Sequence, residues 1–447
     1  MGKNSKKIWS IGLVMALSIG MLSGCGQTEE QTSGKTDETQ EEDTKNVSFR
    51  YEWWGGSATH EAYTNLQAKY KELKPEVTIE PEYSAFDGYQ EKVVTQLSGG
   101  TVADLFHIDV PWMDEWVERG DYFTDLYEQD ILDYSGIDDE LLEQYCVYDG
   151  KLLAVPMGVQ ASGMLLNTVA AEKYGVPTDH QLTWDEILEL GEKIHSENPD
   201  VYFFTADRGN VLNAIVAMLK QRTGGQLIND DYTIAFSKDD LLYVYNIIQK
   251  AYEVGVFEPL GEADLYYGSS TPNPKWINGQ SIAQLCWNSE FTKSDDLLEG
   301  ADKATMVLWP TITENVNQGA TRIRPTYLVA LSSQSQAKDA ALEYLNWQLN
   351  DEEASVILGS CRAVPTTKTQ QDAAVEAGVL RQPVIDLMDE AYPDAQEKDN
   401  VPSQNSELTD ALTDEYSKVA YGMATPKEAV ESTFAALEEV LERISVE

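Results

Sequence analysis

Ten Trp and 23 Tyr stand among 76 acidic and 32 basic residues, and several of these aromatics lie beside polar side chains where short strands end. Trp53 and Trp54 run into Gly55-Gly56, and Asp109 is followed by Val110-Pro111-Trp112. His60 and Glu61 open the helical stretch behind the two tryptophans. Indole faces pack on apolar C–H surfaces, while carboxylates, amides and imidazoles form directed bonds with hydroxyls. A polyhydroxylated solute presents both kinds of surface, so the pattern suits carbohydrate recognition. Neighbours on a strand point to opposite faces; one of Trp53 and Trp54 is therefore expected to pack inward and the other to face a ligand. Each cluster also has a plain structural use. Asp109 can bond backbone amides in a turn, and Ser57 or Thr59 can cap the helix.

Patterns for catalysis are thin. The four His, at 60, 107, 180 and 195, form no HExxH, and the chain holds no GxSxG elbow or Walker-type loop. Glycoside hydrolysis needs two carboxylates at a defined separation, and no spacing selects a pair. A surface glycoside hydrolase is thus kept only as an alternative, and no enzyme activity is expected. Cys146, Cys286 and Cys361 show no CxxC spacing, so no zinc site, disulfide framework or cofactor is expected. Asn229-Asp230-Asp231 reads as a turn rather than a calcium loop. The formal charge of −44 is spread along the chain, which argues against nucleic acid as a partner.

The elements that must position these residues follow from periodicity. Strands are expected at Val47 to Trp54, Val77 to Tyr83 and Asp104 to Val110, with helices between them built on Tyr63, Leu66 and Tyr70 and on Tyr89 to Leu97. Strand, helix, strand, helix, strand implies an α/β fold with a parallel sheet, whose ligands lie at the carboxyl ends of its strands. Two more strands are expected at Lys151 to Pro156 and Ser162 to Leu166, flanking Met157 to Gln160. Thr183 and Glu186 form a capping box for a helix to His195. Helices follow at Asn210 to Thr223 and Asp239 to Val254, then strands at Ile282 to Trp287 and Tyr327 to Leu331. A helix at Ala337 to Leu349 and a mostly helical C-terminal part, ending at Pro426 to Arg443, complete the chain.

At the N-terminus, Lys3, Lys6 and Lys7 precede an apolar stretch, Ile8 to Met21, that reads as a secretory signal over residues 1–24. Leu22-Ser23-Gly24-Cys25 resembles the lipobox of bacterial lipoproteins. The resemblance implies lipidation of Cys25 and a membrane anchor on the outer face of the cell membrane. Residues 25–46 lack large apolar side chains and read as a disordered acidic tether, spanning about 25 Å as a flexible coil.

From Val47 onward the chain resembles the solute-binding proteins of bacterial carbohydrate ABC importers. The resemblance rests on Glu52 to Gly56, Phe86 to Tyr89, Gln96 to Gly100, Asp104 to Asp109, Gly150 to Pro156, Asn278 to Ala283, Leu328 to Ser332 and Arg362 to Pro365, in that order. It implies a two-lobed periplasmic-binding-protein-like fold of type II, each lobe a mainly parallel sheet flanked by helices, with the solute cleft between lobes. Lobe one would comprise residues 47–157 and 330–363, and lobe two residues 158–328 and 365–447. It further implies that Gln160 at the first crossover, Trp287, Asn288 and Trp309 from lobe two, and Arg362 at the last crossover contact solute, with Arg324 ranked behind them. Relatives with this start often carry Arg before the histidine; Thr59 stands there instead, which weakens the case for an acidic sugar at that point. The implied partners are an oligosaccharide and the permease subunits with their cytoplasmic ATPase, with the chain acting as a monomer. A receptor for a non-sugar solute is the nearer alternative.

Overall fold

Residues 47–108 adopt the expected alternation of strands and helices in the computed structural model, which describes residues 46–268, 272–298, 303–359, 361 and 363–445. The leader, Cys25, the tether up to residue 45 and Arg362 lie outside the described residues. Strand β1 (Val47–Trp54) pairs in parallel with β2 (Val77–Ser84) and β3 (Leu105–Ile108). The helices Ser57–Leu73 and Tyr89–Gly99 cover its two faces: Tyr63 stacks on Trp53 with ring centres 5.0 Å apart, and Tyr89 meets Trp54 edge-on at 5.1 Å. Gly56 is the N-cap of the first helix, and neither Ser57 nor Thr59 caps it. The third strand ends sooner than its apolar run suggested. Asp109 accepts a bond from the Val110 amide at 3.0 Å and starts the helix Val110–Arg119. Pro111 lies in the first turn of that helix, where its fixed φ and missing N–H are harmless.

A two-residue hairpin, β4 (Val147–Tyr148) with β5 (Lys151–Leu152), leads into β6 (Val155–Asn167). Where two strands were expected around Met157 to Gln160, one strand of 13 fully buried residues runs through. Those four residues are themselves covered, Gly158 to Gln160 pair with β10 and Val159 also bonds Val364 on the other edge, so nothing there opens a turn. After β7 (Tyr202–Phe204), β8 (Ser281–Trp287) and β9 (Ala304–Val307), the strand β10 (Ile323–Leu331) returns. The sheet order is β2-β1-β3-β10-β6-β8-β7, with β9 also on β6. β7 and β8 are parallel; β10 runs antiparallel to β3 and β6, as do β8 and β9 to β6.

β6 is the shared element. Its residues 155–161 pair with β10, and residues 162–167 pair with β8 and β9. On its other edge Val159 exchanges backbone bonds with Val364, at 2.8 and 3.2 Å. Three passages of the chain therefore lie side by side at residue 159.

Two clusters of buried side chains flank this junction. The first is built on β1, β3, β10 and the start of β6. The second gathers the helices Trp184–Glu197, Arg208–Thr223 and Lys238–Glu253 with β8 and the last two helices, Ser406–Ala420 and Pro426–Ile444. The segment after Pro365 was read above as wholly part of lobe two. Its helices Lys368–Glu376 and Gln382–Ala391, however, bury Ala374, Val384, Ile385 and Met388 in the first cluster. The close fit of Gln382–Ala391 depends on Gly163 in β6, where an added Cβ would lie 2.8 Å from Leu387 Cδ2 and 3.0 Å from the Val307 carbonyl oxygen. The capping box at Thr183 and Glu186 forms as expected. Among the described residues no helix is long and apolar enough to cross a membrane.

Candidate functional site

Register at the junction places five polar or aromatic residues on one face. Gln160 and Ser162 are two apart on β6 and so share a face. Arg324 lies opposite Gln160, Trp287 lies opposite Ser162, and Ser162 exchanges bonds with Arg322, its amide donating to the Arg322 carbonyl at 2.8 Å and its hydroxyl accepting from the Arg322 amide at 2.9 Å. Side chains opposite one another in an antiparallel pair emerge on the same side. Both guanidinium groups lie over the Trp287 indole, Arg324 at 4.9 Å and Arg322 at 5.6 Å from the ring centre. Such contacts each contribute about 0.5–2 kcal/mol, depending on desolvation.

The two arginines of this face line a cavity of about 360 Å³ where the two cores meet. One wall carries Val110, Pro111 and Tyr145; the other carries Leu212, Asn213 and Val216 of the helix Arg208–Thr223. Arg322 and Arg324 line the cavity between them, and Lys398 and Asp399 close a further side. Volume and composition suit a small solute held by a few placed polar groups on an apolar wall. A wider cavity of about 600 Å³ adjoins it through Lys398 and Asp399.

The charges are arranged unequally. Arg322 donates to Asn213 Oδ1 at 3.0 Å and pairs with Asp399 at 3.4 Å, and Asp399 is also held by Lys220 at 2.6 Å. Lys398 pairs with Asp114 at 3.1 Å and lies over the Tyr145 ring. Arg324 is half-buried, and burial followed by the like charge of Arg322 pulls its guanidinium below its usual value. With the Gln160 amide oxygen turned toward it, Arg324 donates through Nε at 2.9 Å and Nη2 at 3.1 Å. Burial pushes the Tyr145 phenol up, so it stays neutral and donates to the Ile323 carbonyl at 2.9 Å. This arrangement can bind and orient a solute.

Residues 56–355 match the family of bacterial extracellular solute-binding proteins. The chain belongs to that family. Among solved structures, an extracellular solute-binding protein of family 1 from Alicyclobacillus acidocaldarius superposes with a TM-score of 0.78 at 19% identity, covering 89% of this chain and 99% of that one. A periplasmic oligogalacturonide-binding protein from Yersinia enterocolitica, in complex with saturated digalacturonic acid, superposes with a TM-score of 0.68 at 22% identity, over 89% and 99% of the two chains. The fold is thus the two-lobed α/β fold of extracellular solute-binding proteins. A binding protein of Brucella abortus is 24% identical over 199 residues, which is 44% of this chain and 48% of that protein. The chain therefore spans about half the length of the curated relatives it matches.

Within this solute-binding protein the candidate residues fall into separate groups. Gln160 and Trp287 meet at the junction beside Arg324. Asn288, next in the chain, is buried, and its amide nitrogen reaches Met388 Sδ at 3.2 Å. Trp112 forms a second aromatic group at the ends of β1 and β3. It lies 5.6 Å from Trp54 and stacks at 5.4 Å on Phe86, which is 48% exposed. Asp109, on the same turn, caps the helix whose Val110 and Pro111 line the cavity. Trp53 and Trp309 are buried in the first and second cores. His60 accepts from Trp53 Nε1 at 3.1 Å and packs on Tyr83 at 4.4 Å; Glu61 beside it is exposed. None of His60, Glu61, Gln160 and Trp287 lines the cavity itself, but Gln160 and Trp287 touch Arg324, which does. Arg322, Lys398, Tyr145 and Asn213 line the cavity but were not among the sequence candidates, and Arg324, ranked last there, lines it too. The available signal was the alternation Arg322-Ile323-Arg324, two cations spaced for one strand face in a chain dominated by acidic residues.

Proposed function

We propose that the chain is the substrate-binding component of an ABC importer, capturing an extracellular oligosaccharide and delivering it to the permease subunits. The observation that carries this reading is the cavity between the two cores, lined by Arg322 and Arg324, with Trp287 packed on both guanidiniums and Gln160 bonded to Arg324 behind them. Indole, amide and guanidinium together offer the apolar platform and directed donors that a saccharide requires. The oligogalacturonide-binding relative of the same fold supports a sugar as cargo.

In this reading residues 47–157 and 330–363, together with the helices Lys368–Glu376 and Gln382–Ala391 that pack in the first core, rotate against residues 158–328 and the last two helices about β6, β10 and Val364. Solute shifts the population toward the closed form because only that form contacts it from both sides. Trp112 and Asp109 would meet the solute from lobe one, with Arg362 at the last crossover. Lipid on Cys25 would retain the protein at the outer face of the membrane as a monomer, with the tether giving it reach to the permease.

Isothermal titration against neutral and acidic oligosaccharides tests the cargo. At least one member of the panel is expected to bind with a Kd in the micromolar range or below, about −8 kcal/mol. Flat traces throughout would sink the carbohydrate reading and favour a non-sugar solute. Release of reducing ends during the same incubation would instead favour a glycoside hydrolase.

A further inference from the structure

Resting on the reading of this cavity as a saccharide site, we infer that its solute is acidic: the geometry points to a uronate whose carboxylate is gripped by the outer edge of Arg324. A guanidinium has a side edge, formed by Nε–H and one Nη–H, and an end edge formed by the two Nη groups. The side edge of Arg324 is taken by the Gln160 carbonyl, at 2.9 and 3.1 Å. Trp287 covers a face at 4.9 Å. That leaves the end edge, on a residue that lines the cavity, and a planar carboxylate matches such an edge with two parallel bonds.

Charge balance points the same way. Among the described residues every other arginine has a carboxylate within ion-pair distance, from Arg50 with Glu82 to Arg443 with Glu407. Arg324 has none. Asp109 and Asp399 are near enough to act on its charge, yet Asp399 is engaged by Lys220 and Arg322. A half-buried cation without a counter-ion is costly, and in a chain of 76 acidic and 32 basic residues a carboxylate partner was readily available. Leaving the place to the ligand's own carboxylate explains the vacancy. A neutral sugar would gain only hydroxyl contacts there and would leave the cation uncompensated.

The test compares four solutes by isothermal titration: a uronate disaccharide, its methyl ester, the neutral disaccharide of the same linkage and a sulfated neutral disaccharide. The free acid is expected to bind at least about tenfold more tightly than the ester or the neutral sugar. Arg324→Gln should remove that preference, and Arg324→Lys should keep part of it. Thermal midpoints establish that the variants fold; if Arg324→Gln does not, Arg324→Lys and the ester comparison on the unaltered protein still decide. Equal affinity for acid and ester, or undiminished preference in Arg324→Gln, overturns the inference while saccharide capture stands. Preference for the sulfated sugar overturns the carboxylate assignment. Absence of binding by all four overturns both this inference and the reading beneath it.

Discussion

Gly319→Ala will destabilise the protein by about 3 kcal/mol or more, at the upper end of overpacking effects. An added Cβ would lie 1.9 Å from the carbonyl oxygen of Asp394, 2.3 Å from its carbonyl carbon and 2.8 Å from its Cα. All three are backbone atoms, so no side-chain rotation relieves the clash. The two segments cannot easily part either. The Thr321 amide donates to the Asp394 carbonyl at 3.1 Å, and the Gln396 amide donates to the Thr321 carbonyl at 2.8 Å. The Asp394 carboxylate accepts from Thr321 Oγ1 at 2.7 Å and from Gln181 Nε2 at 3.1 Å. The clamp fixes the entry to β10 on one side and, on the other, the chain leading to Lys398 and Asp399. Solute affinity should therefore fall along with the midpoint of chemical denaturation. Gly56→Ala, where an added Cβ meets nothing within 4 Å, is the control and should be near neutral. A Gly319→Ala protein with unchanged midpoint would show that this contact yields freely.

Trp287→Ala should weaken solute binding at least tenfold, about 1.4 kcal/mol, with a much smaller effect on thermal stability because the ring is only half-buried. The indole does two things. It offers an aromatic surface at the end of β8, and it holds the guanidiniums of Arg322 and Arg324 at 5.6 and 4.9 Å. Without it, Arg324 keeps only its bonds to Gln160, and both cations regain rotamer freedom that binding must then remove. Trp287→Phe retains a face for the cations and should recover part of the loss. Titration with the tightest solute of the panel measures both variants, and unchanged affinity in Trp287→Ala would take this residue out of the site.

Much of the fold was legible because local signals agreed with tertiary structure. The alternation through β3, the apolar spacing of Tyr63, Leu66 and Tyr70, and the Thr183 capping box each fix an element within a few residues. Errors came where two local signals competed. The third strand was expected to run to Val110, but Asp109 ahead of Pro111 makes a helix start. Met157 to Gln160 looked like a break, yet burial, pairing with β10 and the second partner at Val159 carry β6 straight through.

The site was less legible, since it depends on register between segments far apart in the chain. Nothing near Arg324 shows that Gln160 faces it across a strand pair. The alternation argument for Trp53 and Trp54 was sound about faces and mistaken about solvent. β1 is an interior parallel strand covered by a helix on each face, so both rings are enclosed. Trp309 likewise belongs to the second core, and its place before Pro310 carried no information about exposure.

The double duty of β6 limits how such a chain can change in length. Gln160 and Ser162 share a face with Arg322 and Arg324 because their parity along the strand matches. A single residue inserted or lost between Val155 and Gln160 would invert that parity downstream. Val159 or Ala161 would then face the arginines, and the amide that bonds Arg324 would turn to the opposite side. Surface loops accept insertions far more readily. Drift in chain length is therefore expected to accumulate in exposed segments such as Thr178 to His180, while the count of residues across the junction stays constant.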